Sequence, residues 1–369
     1  MTGPEKKIEI TLMGIDVPRA DLIRRACTDA IGPVRLDPLD KGLSGARVLL
    51  AQWPLQANIV SAKHVLKLSS LSKLREEAER TDKLISPVDP QVGHIRLFED
   101  ESHDLGLLRQ AFLGSSDGRV LSLKDWIREA SEPEVVAERI RMLYSDRMRQ
   151  WHCADGVDPP RVTYSFAEAF DGRVSRQKDL SKAYEDVGRA ALDESFAARS
   201  FASLSAIDDA VLRLNDQREE FPLGLTHGDL HAQNVLVSRG NLQLIDFAWA
   251  RYGWKALDFL MLECSLKLLV VPVECRLEDL VYLEQVIETG VRADQHWPEL
   301  IDRPYARYLR VFAAALAAIR QQAIAWKAVT DFEQYRRGMI VLMSCLGTYP
   351  DLNRNFLAHS LAYHVSRLS

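Results

Sequence analysis

The chain has 369 residues, 47% of them hydrophobic and 27% charged, close to the globular average and enough for sizeable cores in two or more domains or one large two-lobed unit. Its net charge of −5 gives no basic footprint for nucleic acid, so no nucleic-acid partner is expected, while a cationic substrate stays open. The five cysteines (Cys27, Cys153, Cys264, Cys275, Cys345) are odd in number and form no C-x-x-C pair, which argues against a disulfide frame or a zinc site. They read as reduced thiols of a cytoplasmic protein. The first twenty residues carry no long apolar run after their charges, and LKLLVVPVEC (Leu266–Cys275) is too short to span a bilayer and contains Pro272, so neither a signal peptide nor a membrane span is expected.

In chain order, IEITLM reads as a short strand and RADLIRRACTDAI as a helix. VRLDPLDKGLSGARVLLAQ reads as strand, glycine turn, strand, and NIVSAKHVLKLS (Asn58–Ser69) as a further strand rich in Val, Ile and Leu. SKLREEAERTDKLIS has helical spacing, with Leu74, Ala78 and Leu84 toward one face and mixed charges on the other. HIRLFEDES and LGLLRQAFLG read as two more strands. After residue 113 helical patterns dominate: SLKDWIREA, EPEVVAERIRMLYSDRMRQW, SKAYEDVGRAALDESFAARSFASL and AIDDAVLRLNDQREEF. NVLV and LQLIDFAWA, separated by the turn signal SRGN, read as a hairpin. From Ala256 onward the chain reads as mostly helical. The expected organisation is therefore an N-terminal extension (1–30), a β-rich lobe with one embedded helix (31–113) and a larger helical lobe (114–369).

The stretch THGDLHAQNVLV (Thr226–Val237) crowds His227, Asp229, His231 and Asn234 against an apolar run. Asp246 follows Asn234 by twelve residues, just after LQLI. A loop, a hairpin and a second loop bring Asp229, Asn234 and Asp246 to the same end of that hairpin. Two carboxylates and an amide oxygen suit Mg²⁺, which takes hard oxygen ligands and leaves room for phosphates and water. Asp229, not required by the metal, is then available to accept a hydroxyl proton.

HGDLHAQN and IDFAW resemble the catalytic and metal loops of the aminoglycoside phosphotransferase and choline kinase group. The resemblance implies an α+β, bilobal protein-kinase-like fold with a small β-rich N-lobe and a larger mostly helical C-lobe. Gly228 stands where protein kinases carry Arg, and Ala248 where they carry Gly, both of which point to the small-molecule-kinase branch. The resemblance spans roughly residues 34–265 and implies further parts. DKGLSGARV supplies a phosphate-covering turn with Gly42, Ser44 and Gly45. Lys67 on the third strand would pair with the α- and β-phosphates. Glu77 would hold it, with Glu76 and Glu79 as register alternatives. Backbone groups at Gln110 to Leu113, Ala111 and Leu113 among them, would meet the adenine. Asp258 in KALDFLMLE resembles the buried aspartate that braces the catalytic loop, and His227 would share that bracing.

Alone, each residue has a plainer reading. Asp and Asn favour turns and caps, Glu77 lies in a charge run of the kind that forms solvated helix faces, and Lys67 is a possible strand-end lysine. His227 and His231 read as hydrogen-bonded structural histidines, since no third soft ligand is suitably spaced. The expected function is an ATP- and Mg²⁺-dependent transfer of the γ-phosphate to a hydroxyl of a small-molecule acceptor. The alternative is a nucleotide-binding pseudokinase that acts on a protein partner as a scaffold or regulator.

Overall fold

The computed structural model describes residues 17–30, 32–39, 46–56, 59–90, 94–112, 119–151, 158–170, 189–199, 201–239, 241–271, 275–288, 304–346 and 353–368. The expected strand IEITLM, the turn residues Gly42, Ser44 and Gly45, and Leu113 lie outside them. A β-rich N-terminal part is followed by a mostly helical C-terminal part, as the sequence led us to expect. The chain divides into two compact units, residues 1–123 with 233–251 and residues 124–232 with 252–369.

The first unit is built on a five-stranded sheet in the order β1-β2-β3-β5-β4, with β1 Arg35–Pro38, β2 Arg47–Gln56, β3 Ile59–Ser70, β4 Ile95–Asp100 and β5 Leu105–Ala111. Its four strand pairings are antiparallel. Successive side chains of a strand alternate between faces, and this sheet shows the consequence on both. Leu49, Ala51 and Trp53 of β2 and Leu66 and Leu68 of β3 form one core with Leu22, Ile23, Ala26 and Cys27 at helix α1 (Val17–Ala26). Leu50 and Val65 enter a second apolar cluster with Phe112, Leu236 and Ile245, against which Leu39, Val48 and Val120 pack. Lys67, two residues from Val65, therefore faces the second cluster and not α1.

Helix α2 (Leu71–Arg80) follows β3 directly and runs into a single π-helical turn, Thr81–Ile85. Its buried residues are Leu71, Leu74 and Glu77, a three-residue spacing that places one carboxylate on an otherwise apolar stripe. The expected hairpin forms between β9 (Val235–Ser238) and β10 (Asn241–Leu244), with Leu242 opposite Val237. The short strand β6 (Leu121–Ser122) pairs with the other edge of β9.

The second unit holds α3 (Leu123–Glu129), α4 (Pro133–Met142), α5 (Arg189–Ala198), α6 (Leu204–Asp216) and α7 (Ala256–Leu269). Then follow α8 (Leu277–Glu288), α9 (Ala306–Ala325), α10 (Phe332–Leu346) and α11 (Arg354–Ser366). A small sheet in the order β11-β8-β7 joins Arg161–Ser165 (β7), Arg218–Thr226 (β8) and Arg251–Trp254 (β11). The helix expected to run through REEF instead ends at Asp216, and β8 begins at Arg218. Gln217 is already extended, with φ −66 and ψ 122, and Pro222 disfavours helix at the residue before it. Phe221, opposite Val162 of β7, gains burial that a continued helix would not give.

Trp254 anchors this unit, with Phe166, Phe170 and Phe221 all edge-on to its ring. Gly338 of α10 makes the approach possible, since a Cβ there would lie 2.4 Å from the Trp254 ring. The unit also buries a cluster of four charges that pair with one another. Lys267 bonds Glu263 at 2.7 Å and Glu284 at 2.5 Å, and Arg320 bonds the same two carboxylates at 2.6 and 3.1 Å. Burial alone would raise the Glu263 carboxyl, but Arg320 and Lys267 hold it down at about 2.

Candidate functional site

Within the first unit, Lys67 sits in mid-sheet, opposite Val48 on β2 and Leu108 on β5. Its Nζ lies 2.6 Å from Glu77 Oε2 and 2.7 Å from Asp246 Oδ1. Glu76 is exposed and Glu79 pairs with Lys83 on the solvent side, so of the three candidate glutamates only Glu77 meets the lysine. Burial alone would lower the Lys67 ammonium. The charges of Glu77 and Asp246 reverse this and raise it, so it stays charged. Burial pushes the Glu77 carboxyl up to about 7, and Asp246 adds to the rise. Lys67 and the backbone N–H of Phe247 pull it back.

Asp246 has φ 66, in the left-handed region that a non-glycine residue seldom adopts. The surroundings impose that turn. Ile245 N donates to Asn234 O at 3.1 Å, and Arg80 Nη1 donates to Ala248 O at 2.7 Å. Asn234 is buried at the start of the hairpin. It and Asp246 are hard oxygen donors, one amide and one carboxylate. One Asp246 oxygen lies on Lys67, and an amide together with a carboxylate is the kind of oxygen donor set that suits Mg²⁺.

The apolar cluster of Leu50, Val65, Phe112, Leu236 and Ile245 ends at the expected base-binding segment. Two glutamines cross-tie that segment to β10. Gln110 Nε2 donates to Leu244 O at 3.2 Å, and Gln243 Nε2 donates to Ala111 O at 2.9 Å. Phe112 N is bonded to Lys63 O at 2.9 Å. Of the backbone groups expected to meet adenine, the Ala111 carbonyl thus already accepts one hydrogen bond and has one lone pair left.

Within the second unit, the loop that follows β8 is held by Asp258 of α7. The fully buried carboxylate accepts the backbone N–H of His227 at 2.8 Å and of Gly228 at 2.9 Å. Gly228 has φ 76, which a side chain would strain, and this accounts for glycine beside Asp229. His227 is buried, with its ring stacked 6.4 Å from that of Trp151. Asp229 keeps 26% of its side chain exposed, and His231 Nε2 stands 3.9 Å from its Oδ2. Ala232 N donates to Ser265 Oγ at 2.9 Å, closing the loop.

Among the described residues no group of three or more His, Cys, Asp and Glu could hold a metal ion, and no helix is long and apolar enough to cross a membrane. No sequence motif marks Gln243, Arg80 or Ser265. Each acts on a backbone group more than thirty residues away, with no motif around it.

The family model described as ternary complex associated domain 9 matches residues 162–339. No curated protein matches the chain. Among solved structures it is similar to aminoglycoside-3'-phosphotransferase of type VIII, with 17% identity, 87% of this chain and 97% of that chain covered, and a TM-score of 0.45. It is also similar to amicoumacin kinase hAmiN in complex with AMP-PNP, Ca²⁺ and Ami (14% identity, 90% and 85% covered, TM-score 0.44). A third is choline kinase from Cryptosporidium parvum Iowa II (12% identity, 88% and 95% covered, TM-score 0.36).

Proposed function

We propose that the protein is an ATP- and Mg²⁺-dependent phosphotransferase acting on a hydroxyl of a small molecule. The observation that carries this reading is the Lys67 ammonium held between Glu77 and Asp246, two buried or nearly buried carboxylates. An isolated buried ion pair is a poor source of stability, because desolvation offsets most of the attraction. A lysine kept charged by two carboxylates, one of them on a left-handed backbone, is instead suited to receive phosphate oxygens.

In this reading Lys67 binds the α- and β-phosphates and Glu77 fixes its position. The apolar cluster around Val65 and Ile245 receives the base. Asn234 and Asp246 hold the metal, which when bound supplies neutralisation of phosphate charge. Asp229 orients the acceptor hydroxyl and takes its proton, while Asp258, through the His227 and Gly228 amides, fixes the loop that presents it. The chemistry is positioning and charge stabilisation, as a loose phosphoryl-transfer transition state requires.

A second reading is favoured by one finding: residues 162–339 match a model whose description names association in a ternary complex. In that reading the chain binds nucleotide and serves as a module of a protein assembly.

The test is ATP·Mg²⁺ binding by thermal shift, wild type beside Asp246→Ala, followed by ATP consumption with a panel of hydroxyl acceptors, wild type beside Asp229→Asn. A native-state ligand at 100 times its Kd adds about 2.7 kcal/mol of apparent stability. A magnesium-dependent shift absent from Asp246→Ala, with turnover absent from Asp229→Asn, supports the phosphotransferase. A shift without turnover on any acceptor favours the assembly module, and no shift at millimolar ATP overturns both.

A further inference from the structure

Within the first unit, helix α2 reaches the Asp246 turn through more than the lysine. The Glu77 carboxylate that receives Lys67 Nζ at 2.6 Å also accepts the backbone N–H of Phe247. Nearly one turn further along the helix, Arg80 Nη1 donates to the carbonyl of Ala248 at 2.7 Å. Residues three apart share a helix face, so Glu77 and Arg80 address two consecutive residues of the turn, one as acceptor and one as donor. Asp246, at φ 66, sits between these two ties and the bond from Ile245 N to Asn234 O at 3.1 Å. A non-glycine residue keeps a left-handed backbone only where its neighbours hold it there.

The two ties differ in kind. Glu77 divides its carboxylate between the Phe247 amide and the Lys67 ammonium, so its hold on the turn is shared with the group assigned to phosphate. Arg80 brings a permanent charge to a carbonyl oxygen, and its hold does not pass through Lys67. We propose that Arg80 is a positioning residue for metal-bound nucleotide: by holding the Ala248 carbonyl it keeps Asp246 in the conformation from which its carboxylate serves the metal. This inference rests on the phosphotransferase reading and concerns the metal-dependent part of nucleotide binding. Lys67 and Val65 are placed by β3, whereas the Asp246 carboxylate is placed by the turn. Loss of Arg80 is therefore felt when the metal is present and little when it is absent.

The test titrates full-length wild type, Arg80→Ala and Arg80→Lys with ATP by calorimetry, once with excess Mg²⁺ and once with EDTA. Wild type should bind more tightly with the metal. In Arg80→Ala that gain should fall about tenfold, the worth of one hydrogen bond from a charged donor, while metal-free affinity stays within about twofold. Arg80→Lys keeps a cationic donor on a long stem and should bring the gain back to within about threefold of wild type. A residue that only stabilised the fold would weaken both affinities alike. Without any nucleotide, hydrogen exchange in peptides covering 245–251 should run at least about threefold faster in Arg80→Ala. Should Arg80→Ala fail to fold, Arg80→Gln takes its place, with an expected loss of metal-dependent gain of at least about threefold. An unchanged gain, or equal losses with and without metal, overturns the role of Arg80 and leaves the phosphotransferase reading standing. Wild type that binds no ATP, or binds it equally with and without Mg²⁺, overturns that reading and this inference with it.

Discussion

Replacing Asp258 with alanine tests how the loop that carries Asp229 is held. The carboxylate has no solvent exposure and accepts two backbone N–H bonds, at 2.8 Å from His227 and 2.9 Å from Gly228. Its removal leaves two buried donors without that acceptor, at about 1–3 kcal/mol each. The cost falls first on the loop, because only local opening is needed to rehydrate the two amides. Taking about 3 kcal/mol for the pair, the loop opens on the order of 100-fold more often, at about 1.4 kcal/mol per tenfold. Hydrogen exchange read by mass spectrometry on peptides covering Thr226–Ala232 should show that acceleration. Peptides from β3 and α2 should not change, and ATP·Mg²⁺ binding, assigned to Lys67 and Asp246, should persist while turnover falls. Loop exchange within about threefold of wild type would refute the brace.

Glu77→Gln should flatten a pH dependence of stability. The native carboxyl near 7 lies above its unfolded value, so the folded state binds the extra proton, and this contribution is full below about 4.5 and lost as pH rises through 7. Unfolding free energies from denaturant titration at pH 5 and pH 8 should therefore differ by about 1–3 kcal/mol more in wild type than in the variant; equal differences would remove Glu77 as the cause. Gly338→Ala forces a Cβ to within 2.4 Å of Trp254 and 2.8 Å of Leu260, and should cost about 1–3 kcal/mol in thermal unfolding. An unchanged melting temperature would mean that α10 is free to shift. Glu263→Ala strips Lys267 and Arg320 of a shared buried partner and should destabilise by about 3–5 kcal/mol, read by urea unfolding; a loss under 1 kcal/mol would show that Glu284 alone suffices.

The parts of this molecule that were legible in sequence are those whose partners lie close along the chain or follow a period. Lys67 was singled out because the resemblance asks for a lysine on the third strand and VLKLS supplies one. The hairpin between Asn234 and Asp246 was found because SRGN separates two apolar runs. Glu77 was found only as one of three glutamates, since a charge-rich helix does not announce which carboxylate turns inward; burial beside Leu71 and Leu74 decides it. The strand at Arg218 was missed because its charged start prolongs the amphipathic pattern of α6, and its pairing with Arg161–Ser165 is not encoded locally. The four-charge cluster of Glu263, Lys267, Glu284 and Arg320 was equally silent. Its members are ordinary helix charges until tertiary packing buries them together.

The interleaving of the two units bears on how the protein can be taken apart. The hairpin 233–251 is an excursion from the second unit's sequence that belongs to the first. A fragment cut near residue 113 therefore strands Lys67 with Glu77 alone and leaves Val65 without Leu236 and Ile245 beside it. A usable N-terminal fragment needs residues 1–123 joined through a flexible linker to 233–251, with the complementary chain religated from Ala232 to Tyr252. Dissection of this protein is thus a matter of splicing and not of truncation.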